Sequence, residues 1–112
     1  MRTPFLAAAA SALLVFSIPS AATAGDRDDA RVLIAGAKAK VDLNEKNGIT
    51  GEAAGIQARA RVALDRAEKE FDKSNEDTAQ AAAKEADALA ELASTTQQKQ
   101  LIEATTAAAT PN

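Results

Sequence analysis

The chain has 112 residues and a net charge of −3, with thirteen basic against sixteen acidic side chains, and it contains no histidine, cysteine, tryptophan or tyrosine. Those absences exclude disulfides, thiolate nucleophiles and sulfur-ligated metals, and they remove both the usual base at neutral pH and the commonest transition-metal ligand. Three phenylalanines are the whole aromatic content and the charges are interleaved, so the stacking platforms and basic stripe of a nucleic-acid binder are missing; we expect no enzyme, no cofactor, no metal and no nucleic acid.

Met1 to Ala24 reads as an export signal. Arg2 gives a positive start, Phe5 to Ile18 is an apolar run, Pro19 interrupts it, and Ala22-Thr23-Ala24 offers the small-x-small pattern that a signal peptidase reads. Ala22, Ala24 and Gly25 therefore mark the expected cleavage point. The apolar run is shorter than the about 20 residues needed to span a bilayer, and without cysteine there is no lipobox, so neither an integral nor a lipid anchor is expected after cleavage. The expected location is outside the cytoplasm, most simply the bacterial periplasm. The expected organisation is a signal peptide over 1–24, a helical domain over 25–103 and a disordered tail over 104–112.

Alanine dominates the remainder, with glutamate, lysine, arginine and glutamine around it, and no proline falls between Gly25 and Thr110. These are strong helix formers, and no alternating strand-like run competes with them. The spacing predicts an all-α, coiled-coil-like fold, either an antiparallel helical hairpin or a three-helix bundle. A first helix is expected to begin near Asp26 to Asp29, whose acids suit the positive end of a helix dipole. Its inner face is Ala30, Leu33, Ile34, Ala37 and Val41, and Asn44 to Gly48 ends it because asparagine and glycine tolerate the left-handed conformation. Thr50 is the expected N-cap of the second helix.

That second helix is expected from about Glu52 to Lys73, with Ile56, Ala60, Ala63, Leu64, Ala67 and Phe71 facing inward. Arg61 with Asp65, Asp65 with Lys69 and Arg66 with Glu70 stand four apart and predict a solvated, salt-bridged face. Ser74-Asn75-Glu76-Asp77 resembles a capping box, which favours a hairpin over one long rod. The third helix is expected to reach about Gln100, with Ala79, Ala82, Ala86, Leu89 and Ala93 inward and Leu92 beside them.

Candidate sites are few. Asp42 to Ile49 lies between helices as a calcium loop does, but Lys46 falls at a ligand position and the glycine comes one residue late, so a helix-ending loop is the better account. Asp26, Asp28 and Asp29 read as dipole complement, and the acids Glu68, Glu70 and Asp72 alternate with Lys69 and Lys73. The apolar faces remain: Leu33, Ile34, Val41, Ile56, Leu64, Phe71, Leu89 and Leu92 form the expected helix-packing or partner face. Large apolar side chains are scarce, so the expectation is either a marginal monomer or helices completed by a second copy or another protein.

The stretches Asp29-Ala30-Arg31 through Ala37, Ala58 to Glu68 and Thr78 to Ala86, with the loop after the first helix, resemble the DUF4398 family of small helical proteins of the bacterial envelope. The join at Asp72 to Thr78 resembles the helix-turn-helix step of a tetratricopeptide-type unit. The chain departs from that pattern in lacking the lipid-bearing cysteine of many relatives, and in having no proline in Asn47 to Gly51. The resemblance implies an all-helical envelope protein and brings no site residues with it. The function expected is an exported, periplasmic accessory or assembly factor acting by protein-protein contact or self-association. The alternative is a holdase-like chaperone or envelope stress protein that binds unfolded clients on its apolar faces.

Overall fold

The computed structural model describes the backbone of residues 4–109 and the side chains of residues 25–109. Ala22 and Ala24 of the expected cleavage motif fall outside the residues with described side chains, and Thr110 to Asn112 fall outside the described residues altogether. Three helices follow one another, α1 (Pro4–Asn47), α2 (Gly51–Asp72) and α3 (Glu76–Ala109), and no strand occurs among the described residues. The fold is the all-α bundle that the alanine periodicity predicts.

Two boundaries differ from expectation. Helix α1 does not begin near Asp26 to Asp29; those residues lie inside it, and Pro19 falls within its span without ending it. A proline removes one rung from the hydrogen-bond ladder, and alanine-rich sequence on both sides is a strong enough helix former to continue. Helix α3 runs past Gln100 and through 104–109, where a disordered tail was expected. With no glycine or proline between Glu76 and Thr110, nothing local stops it, and residues 101–109 are exposed beyond the bundle.

The turns are built from identifiable devices. Gly48 ends α1 in the left-handed region (φ +79°), its N–H donating to the carbonyl of Asn44 at 3.1 Å. Between α2 and α3, the N–H of Ser74 donates to Phe71 and that of Asn75 to Glu70, both at 2.9 Å. This pair of bonds is a Schellman closure with Ser74 in the left-handed position at φ +66°. Ser74 therefore closes α2 and does not cap α3. The capping position of α3 belongs to Asn75, whose carbonyl accepts the N–H of Ala79 at 2.9 Å.

Helices α2 and α3 form the antiparallel hairpin expected at this turn, and α1 lies mainly along α3 with a lighter contact to α2. The core is alanine. Among the described residues, Leu64 and Val41 are the only fully buried side chains larger than a methyl group. Ala37, Val41, Ala60, Ala63, Leu64, Ala86 and Ala90 form the central cluster, with Ile34 and Leu89 packed against its edge. Small inward side chains allow close helix approach while burying little area, so the packing is tight and the apolar gain per residue modest.

Candidate functional site

Among the described residues the interior carries one polar cluster. Asn44 and Gln57 are only 5% and 7% exposed. Asn44 Nδ2 donates to Gln57 Oε1 at 2.9 Å and to the carbonyl of Ala90 at 2.8 Å, while Gln57 Nε2 donates to the carbonyl of Val41 at 2.9 Å. One side-chain pair thereby ties all three helices together. Both residues fall on the inner stripes: Asn44 follows Val41 by three, and Gln57 lies between Ala53 and Ala60. From the sequence Asn44 is expected only as a helix terminator, and Gln57 is not expected in the core. The in-phase spacing was the signal available for finding them.

Beside this pair, Arg61 reaches from α2 to α1. Its Nη2 meets Glu45 Oε1 at 2.6 Å and Asp42 Oδ1 at 3.1 Å, and its Nε donates to Glu45 Oε2 at 3.1 Å. The guanidinium holds the Glu45 carboxyl below its ordinary range, and with Lys38 it does the same for Asp42. The expected partner of Arg61, Asp65 on its own helix, is not used, because the fork of an arginine gains more from a two-point carboxylate contact across the seam. Arg66 likewise pairs with Glu85 of α3 at 2.6 Å instead of Glu70. Lys40 of α1 bridges Asp87 and Glu91 of α3, and the two carboxylates raise its pKa. Asp42, the residue that would open a calcium loop, is thus bound to Arg61 together with Glu45.

The ends of the bundle are also tied. At one end, Arg27 lies over the Phe71 ring with its guanidinium carbon 3.9 Å from the centroid, and its Nη1 meets Glu76 Oε2 at 2.7 Å. Asp28 bonds to Arg31 in mid-helix, so the acids at 26–29 are not a dipole complement in the full chain. At the other end, Thr50 stands before α2 but its side chain makes no cap bond to the helix. The capping comes from α3: Gln100 Oε1 accepts the N–H of Ala53 at 3.1 Å while its Nε2 donates to the carbonyl of Thr50 at 2.9 Å. Gln100 sits where a β-carbon on Gly51 would fall, 3.0 Å from its Oε1.

Of the expected packing face, Val41 and Leu64 are buried and Leu33, Ile34, Ile56, Phe71 and Leu89 are half-buried. Leu92 is 49% exposed: Ala90 and Ala93 take the inward positions and it stands beside them, about 100° round the helix from Ala93. No cluster of three or more acids able to hold a metal occurs among the described residues, and no helix there is long and apolar enough to cross a membrane. Among the described residues, the buried amides of Asn44 and Gln57 are engaged with each other and with backbone carbonyls. Comparison with family models, curated proteins and solved structures finds no match to this chain.

Proposed function

We propose that this is an exported helical protein of the cell envelope that acts by laying its helices against another protein, in an accessory or assembly role. Export is supported by the leader pattern of residues 1–24, and an envelope setting by the resemblance of Asp29 to Ala37 and Ala58 to Glu68 to the DUF4398 pattern. The contact role rests on one observation above all. Helix α1 is apolar on two sides: an inner stripe is consumed by the bundle, while Val32 and Leu43 on its outside remain 68% and 56% exposed. Val32 and Leu43 share one face of the helix, and a second apolar face is what a partner helix packs against.

Two measurements test the reading. Mass spectrometry of the exported product should give an amino terminus at Gly25; an intact Met1 on the mature protein overturns the export half. Crosslinking in intact cells should attach one stoichiometric protein. Val62, Leu92, Leu101 and Ile102 are exposed on other faces, which is the arrangement the holdase-like alternative requires, and a spread of unfolded clients would decide for it.

A further inference from the structure

We propose that the outer face of α1 is a homodimer seam on which a second copy of this chain lies antiparallel, α1 against α1. The inference rests on the contact reading above and names the partner. Val32, Gly36, Ala39 and Leu43 follow one another by four, three and four residues, the rhythm of a coiled-coil seam. At about 100° per residue they share an arc of about 60°, on the side of the helix opposite Ala30, Ala37 and Val41. All four are exposed.

Gly36 in α1 and Gly55 in α2 are both helical glycines with open space at the β-carbon position, and the charges at the ends of the stripe choose the α1 face. A glycine in mid-helix weakens the helix relative to alanine, and a β-carbon at Gly36 would meet nothing within 4 Å in this chain. Intrachain packing therefore gives no reason for it. A second helix whose backbone crosses at Gly36 and Ala39 does.

The face is self-complementary in only one direction. A two-fold axis between Gly36 and Ala39 sets Val32 opposite the partner's Leu43, Gly36 opposite the partner's Ala39, and Asp29 opposite the partner's Lys46. Asp29 and Lys46 are exposed, and neither forms an ion pair or hydrogen bond among the described residues. A parallel pair would bring like charges together at both ends, so the charges select the antiparallel one. The comparable stripe on α2 (Gly55, Ala58, Val62) runs into Arg66 after two turns and lacks that symmetry. The α1 seam is about 18 Å long from Val32 to Leu43 at 1.5 Å per residue, shorter than stable interfaces need, so the dimer is concentration-dependent.

Sedimentation of the protein as exported and processed by the expressing cell tests this. The expected result is a dimer that dissociates on dilution. Gly36→Leu should make it monomeric with unchanged helix content, and Asp29→Lys and Lys46→Asp should each weaken it by about tenfold. The double swap should recover the dimer, because each new lysine then faces a new aspartate. If Gly36→Leu loses helicity, the charge-swap set decides. A protein monomeric at every concentration, a double swap without recovery, or a dimer dissolved by Val62→Asp but not by Gly36→Leu overturns the proposal. A monomer that still crosslinks to another protein in cells leaves the envelope-contact reading standing; a monomer that crosslinks to nothing sinks both.

Discussion

Asn44 and Gln57 satisfy each other and two backbone carbonyls in an interior otherwise made of alanine with Val41 and Leu64. Truncating one leaves the other a buried polar group without its partner. Asn44→Ala or Gln57→Ala is expected to cost about 1–3 kcal/mol, read from the urea midpoint. Replacing both by leucine should recover much of that loss, since an apolar pair leaves nothing unsatisfied. Ser74 is a simpler case. It holds a left-handed φ of +66°, a conformation that favours glycine, so Ser74→Gly should raise stability by about 0.5–1 kcal/mol. An unchanged or lower melting temperature would show that the serine carries no strain. The inner alanines were legible because their 3–4 spacing is a one-helix property. The polar pair was not, because the burial of Gln57 depends on a partner thirteen positions away.

Among the elements, α2 depends on α3 for its own start. The Gln100 side chain satisfies the Ala53 N–H, a role that a residue preceding the helix usually plays. Gln100→Ala is expected to cost about 1 kcal/mol and to speed hydrogen exchange at Ala53, while Thr50→Ala should change little. The part of α3 beyond the bundle tells the opposite story. Residues 104–109 are exposed throughout, so a chain ending at Glu103 should keep its stability within about 0.5 kcal/mol. The helix count and both turns could be read from Asn44 to Gly48 and from Ser74 to Asp77, where glycine and capping residues interrupt the pattern. The inner face of α3 was harder to assign. In a helix so rich in alanine nearly every face is apolar, which is why the buried Ala83 and Ala90 were passed over. The cross-helix arginines escaped for a related reason, since Arg61 and Arg66 each had an equally spaced acid on their own helix.

For the whole molecule, the ion pairs set the response to acid. Asp42 and Glu45 have their carboxyl pKa lowered by Arg61, so the unfolded chain takes up protons more readily than the folded one as the pH falls. Stability from these groups is fully present above their ordinary values of 3.8 and 4.5 and is lost as the pH drops below them. Urea midpoints measured from neutral pH downward should fall in that range, and Arg61→Leu should flatten the acid limb. A limb equally steep in the variant would place the titration elsewhere. Alanine has no rotamers to freeze or to exchange, and this gives the bundle an unusual way to fail. Its inner layer cannot melt by reshuffling side chains while the helices stay put. Loosening must instead occur as sliding of rigid rods past one another, and the amide pair at Asn44 and Gln57 is the ratchet that resists such slippage.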